Sequence, residues 1–112
     1  MRGVIWLDVS WLRAQDALAR GDLEAVERLH LARARLFQQV IAEERGRARE
    51  RRAVMYFEPL RDVYRRLGEH VVLLTGDLDR ARGHWRKGRT LLHDIETDAP
   101  QRPGFDPVWF TP

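Results

Sequence analysis

Apolar residues recur along this chain at helical spacing, in four stretches parted by glycine, proline or charge. Leu7, Trp11, Ala14 and Leu18 stand at i, i+4, i+7 and i+11, so they share one face of a helix over about residues 8–20. Gly21 ends it, because glycine takes the left-handed conformation past a helix C-terminus without a Cβ clash. Asp22 then predicts the next start: its carboxylate can accept from a free N–H of the first turn, with Glu24 and Glu27 near the positive end of the helix dipole. The second helix carries a broad stripe of Ala25, Val26, Leu29, Ala32, Leu36, Phe37, Val40 and Ile41, wide enough for packing inside a bundle.

From Glu43 to Arg52 the stripe vanishes and the chain is polar on every side. This charged connector over about 43–52 either projects helix two into solvent or breaks it near Gly46. Apolar character returns at Ala53–Phe57, and Pro59 favours a new helix start through its fixed φ and missing N–H. Leu60, Val63, Tyr64, Leu67, Val71 and Leu74 form the third stripe, closed by Thr75-Gly76-Asp77, which repeats the chemistry of Arg20-Gly21-Asp22. Leu78, Ala81, Trp85, Gly88, Leu92 and Ile95 alternate steps of three and four, a seam along which helix four packs over its whole length. Gly83 and Gly88 each cost about 1 kcal/mol against alanine inside a helix, which points to close approach of a backbone or a large ring, with Trp85 in that neighbourhood. Beyond Thr97, four of the five prolines forbid further helix. The expected fold is all-α: two antiparallel helical hairpins forming a small four-helix bundle over residues 1–98, with an extended proline- and aromatic-rich tail over 99–112.

The Gly76-Asp77 turn is followed by Ala81 and Trp85 at the spacing found in tetratricopeptide-type hairpins, and the chain resembles that family mainly over residues 67–92. Leu67-Gly68 is similar to the family's first-helix Leu-Gly but stands one residue out of register, and the Gly21-Asp22-Leu23 copy lacks the Ala and the aromatic. The two Gly-Asp-Leu copies lie 55 residues apart rather than the family's repeat of about 34. The resemblance implies binding of a peptide or protein in a helical groove.

A chain of 112 residues fits one domain, and 44% hydrophobic with 33% charged residues suits a folded one. No apolar run approaches the roughly 20 residues of a membrane span, nor does the short Val4–Leu7 run suit a signal peptide. With no cysteine, disulfides, thiolate metal sites and cysteine nucleophiles are excluded, and a cytoplasmic location is expected. The net charge of +3 hides an imbalance of nineteen arginines to one lysine, which suits carboxylate and phosphate recognition and equally follows from GC-rich coding.

Three constellations could carry chemistry. On a continuous helix Arg45, Arg49 and Arg52 would line one side and could track a phosphate backbone, although Glu43, Glu44 and Glu50 lie among them and can pair with them. Glu27 and His30 make a Glu-x-x-His step with Glu24 one turn earlier, which on a bundle helix is half of a carboxylate-bridged metal site. The second half is missing: Glu58 and adjacent Glu69-His70 do not complete it, and His93-x-x-Glu96 runs in reverse order. His30 and His70 are therefore expected at a rim or partly buried. Phe105, Trp109 and Phe110 are three large rings in the tail, each with some 150–250 Å² to bury, and so are the expected docking residues. No phosphate loop, nucleophile elbow or zinc-protease motif occurs. The expectation is a non-enzymatic, self-associating interaction or assembly module with no cofactor, no metal and no membrane partner. The alternatives are a nucleic-acid binder using Arg45–Arg52 and, third, a metal-binding bundle enzyme.

Overall fold

The computed structural model describes the backbone of residues 2–98 and the side chains of residues 9–98. It is all-α: α1 (Arg2–Ala19), α2 (Leu23–Gly46), a one-turn α3 (Glu50–Val54), α4 (Phe57–Thr75) and α5 (Leu78–Asp98). Helix α1 begins at Arg2, six residues before the expected start, because nothing from Arg2 to Asp8 breaks a helix. None of the described helices is long and apolar enough to cross a membrane.

The turns follow from their residues. Gly21 sits at φ 70°, with the Asp22 N–H bonded to the Ala17 carbonyl and the Gly21 N–H to that of Leu18, a paired closure of the last turn of α1. Asp22 then caps α2 by accepting from the Ala25 N–H at 3.1 Å. At the other corner Gly76 takes φ 71° and Asp77 accepts from the Arg80 N–H at 3.0 Å. The end of α2 uses the same geometry without a glycine. The Ala48 N–H bonds to the Arg45 carbonyl and the Arg49 N–H to that of Glu44, which forces Ala48 to φ 57°. Gly46, two residues earlier, remains within the helix.

The long helices run alternately up and down. Helices α2 and α4 form the central pair, α1 lies against both, and α5 lies on α4. One apolar cluster joins Ala34, Phe37 and Ile41 of α2 to Ala53, Leu60, Val63 and Leu92; the other joins Ala25 and Val26 to Ala17, Leu67, Val71 and Ala81. The α4/α5 contact is the tightest. The Trp85 indole lies against Gly68, where an added Cβ would stand 2.0 Å from Nε1, and that Nε1–H donates to the Arg65 carbonyl at 3.1 Å. Four residues along, the Tyr64 ring lies against Gly88, where a Cβ would meet the Tyr64 Cβ at 2.5 Å. Two of the seam expectations change. Trp85 is half-buried against the α4 backbone, and Leu78, the first seam residue, is exposed. Gly83 has no side chain or neighbouring backbone within 4 Å, so it makes no close approach.

Glycine replacements should accordingly split in sign. Gly68→Ala and Gly88→Ala should each destabilise by about 1–3 kcal/mol through overpacking, whereas Gly83→Ala should stabilise by up to about 1 kcal/mol through helix propensity alone. Ala48→Gly should also stabilise, by about 1 kcal/mol, because it relieves a left-handed alanine. Urea unfolding of the four variants checks all of these.

Candidate functional site

Helices α2 and α5 diverge at one end of the bundle and leave an open groove of roughly 350 Å³. Its floor is Ile41, its walls are Leu91 and Ile95, and Gln38, Ala42, Arg45, Asp94 and Asp98 rim it. Ile41 belongs to the cluster with Phe37, Leu60 and Leu92, so the groove is a gap in the cover of that cluster rather than a polar cleft. Asp98, where α5 ends, stands at its mouth.

Arg45 stiffens the same end. Its guanidinium donates from Nε to Glu50 Oε2 at 3.0 Å and from Nη2 to Glu50 Oε1 at 3.0 Å, and it lies 5.3 Å from the centre of the Phe57 ring. Both partners are almost fully buried. The pair ties the last turn of α2 to the first residue of α3 and draws the chain through the left-handed Ala48. Next to it Arg49 reaches back to Glu44 at 2.7 Å.

This geometry corrects the expectation for Arg45, Arg49 and Arg52. The face that would align them needs one continuous helix, and α2 stops at Gly46. Arg45 is consumed inside the fold, Arg49 pairs with Glu44, and Arg52 stands exposed on α3. The three do not form one phosphate-tracking line. The tail residues Phe105, Trp109 and Phe110 lie outside the described residues.

The Glu27 and His30 step is also divided. Glu27 turns toward α5, where it accepts from Arg80 Nε at 2.9 Å and from His84 Nε2 at 2.7 Å. The hydrogen bond from Arg80, reinforced by His84, holds its carboxyl below the usual carboxylate range. His30 turns the opposite way, into the bundle, and is completely buried. Its Nε2 lies 3.0 Å from Nδ1 of His70, itself only 7% exposed, so both are buried more deeply than the rim or partly buried positions expected. A signal for this was present: Val26, His30, Ala34, Phe37 and Ile41 step by four, four, three and four, and Leu60, Val63, Leu67, His70 and Leu74 by three and four, placing both histidines on core faces. Among the described residues no three His, Asp or Glu side chains are gathered as a metal ion would require. The Glu27–Arg80–His84 bridge had no such signal, because it joins residues more than 50 positions apart.

No family model matches this chain, and no curated protein or solved structure does either. Its function is argued from its residues alone.

If Arg45 is structural, removing its charge should leave Glu50 buried without a partner. Arg45→Gln should lower stability by about 3–5 kcal/mol, and the joint change Arg45→Met with Glu50→Leu should recover most of it. Thermal unfolding of the two variants decides this; an unchanged melting temperature for Arg45→Gln would remove the structural role.

Proposed function

We propose that this protein is a non-enzymatic helical interaction module that associates with itself, the α2/α5 groove of one copy receiving the aromatic residues 99–112 of another. The observation that carries this reading is the open apolar gap over Ile41, Leu91 and Ile95, beside the residue from which the aromatic segment departs. A hollow of this size is at the small end of ligand-binding clefts and suits one or two large side chains. Phe105, Trp109 and Phe110 are the side chains in this sequence with the most apolar surface still to place.

A second copy is favoured over the chain's own tail by the direction in which the chain leaves α5. Phe105 is seven residues beyond Asp98, and Pro100 and Pro103 favour extended backbone, in which seven residues would span at most roughly 22 Å. Leu91 is seven helical residues back from Asp98, about 10 Å away. To fill its own groove the segment would have to reverse direction after Asp98, which a neighbour's groove would not require. The resemblance of residues 67–92 to groove-binding helical hairpins points to the same use.

Light scattering with size-exclusion chromatography tests the proposal. The full chain should run as a dimer or larger, and a chain ending at Asp98 should run as a monomer with unchanged helical content. A synthetic 99–112 peptide should bind that shortened chain weakly, since the tethered effective concentration is gone. A full chain that stays monomeric at high concentration, or a shortened chain of unchanged stoichiometry, would overturn it.

A further inference from the structure

The bundle has a buried polar centre that self-association does not use. His30 of α2 and His70 of α4 share one N–H between their rings at 3.0 Å, and Trp11 of α1 lies over the pair, its ring 6.1 Å from His30 and 6.5 Å from His70. Two guanidiniums flank that indole, Arg33 at 4.9 Å and Arg66 at 5.2 Å from its centre. Asp62 accepts from Arg66 Nε at 2.8 Å.

Helix α1 leans on this centre heavily. Its fully buried described side chains are Ser10, Ala14 and Ala17, all small, so they permit close approach and contribute little apolar area. Trp11 and Leu18, both partly buried, are its large described contacts with the interior, and Trp11 is the one that meets the histidines. Among the described side chains, the core cluster of Phe37, Ile41, Leu60 and Leu92 contains none from α1. Among the described side chains, α2, α4 and α5 thus share a core cluster without α1, whose own described contacts with the interior run through Trp11, Ala17 and Leu18.

The pair has no room for another proton. His30 Nδ1 is buried without a partner, so the favourable tautomer leaves a bare lone pair there, and His30 Nε2–H donates to His70 Nδ1. Protonating His70 Nδ1 turns the acceptor into a second donor facing the first. Moving the shared proton to relieve that clash puts an unpaired N–H on the buried His30 Nδ1. Protonating His30 directly buries a charge.

We propose that the His30–His70 pair is an acid-sensitive latch that holds α1 on the α2/α4 face, and that adding a proton to the pair releases α1 while α2, α4 and α5 stay folded. From α1 the pair meets the Trp11 ring, from α2 Arg33, and from α4 Arg66, Asp62 and Glu69. Burial is the largest opponent of an imidazolium at both sites, joined by Arg33 and Arg66 at His30 and by Arg66 at His70; Asp62 and Glu69 act the other way. His30 is thereby pushed down to about 3, from 6.5 when free in water.

The sign follows. The docked state binds fewer protons than the released state, so docking is full above pH 6.5 and weakens as pH falls, by up to about tenfold per pH unit for each histidine kept neutral. Glu27 holds its charge through this range, because Arg80 and His84 depress its pKa, and so α5 keeps its bridge to α2.

Hydrogen exchange on the full chain, corrected for intrinsic rates, tests the latch between about pH 7 and pH 5. Protection in α1 should fall by at least about tenfold more than in α4. The joint variant His30→Gln, His70→Asn keeps an amide N–H donor at the first position and an oxygen acceptor at the second, and should remove that difference. His84→Gln and His93→Gln should preserve it. Parallel loss of protection in α1 and α4, or an α1 that stays protected to pH 5, would overturn the proposal from the unmodified chain alone. So would an acid response that survives in the joint variant.

Discussion

The packing of α2 against α4 is the constraint on which the other elements depend. Val26, His30, Ala34, Phe37 and Ile41 meet Leu60, Val63, Leu67, His70 and Val71 along two antiparallel helices, and both core clusters form on this pair. Among the described side chains, neither α1 nor α5 has a comparable face of its own. Most residues that α1 buries are small, and α5 reaches α4 through glycine and the indole. The connector obeys the same constraint. For α4 to return along α2 the chain must reverse within a few residues, and the Arg45–Glu50 pair accepts a left-handed alanine to do so. The local strain, on the order of 1–2 kcal/mol, is offset by a bidentate charge-assisted bond held in low dielectric.

Three polar links tie α2 to the elements around it. His30 with His70, Arg45 with Glu50 and Glu27 with Arg80 and His84 each bridge two elements, and each joins a residue of α2 to its neighbour. Apolar faces alone tolerate sliding by a turn, since leucine and valine fit many partners. A paired polar group does not, because a slip leaves it buried and unbonded. These bridges therefore define how the helices line up more sharply than the apolar residues around them. The histidine pair does so with neutral partners, which makes its registry dependent on pH where the ion pairs are not.

The surface follows from what the core leaves uncovered. Helix α5 stays against α4 through the Gly68/Trp85 and Tyr64/Gly88 contacts, while at its C-terminal end it parts from α2 over Ile41. Close packing on one side opens the groove on the other.

Much of the architecture was determined by sequence alone, because it rests on local physics. Helical periodicity, Gly21 and Gly76 at left-handed corners, and the Asp22 and Asp77 caps depend on residues within a turn of each other, so four long helices in two hairpins were legible. The break after Gly46 was legible only as one of two possibilities, since alanine at Ala48 carries no local stop signal and the deciding contact is a buried ion pair. Side-chain partners were decided by tertiary structure alone. Gly83 and Gly88 both promised close approach, but only Gly88 makes one, and the pairing of Trp85 with Gly68 and Tyr64 with Gly88 depends on the stagger of α4 against α5. The spacing of His30 and His70 fits core faces rather than the rim or part-buried positions expected of them, yet nothing local says that two core faces will bring two imidazoles to 3.0 Å. That distance comes from the antiparallel register of α2 and α4, a long-range quantity that no window of sequence contains.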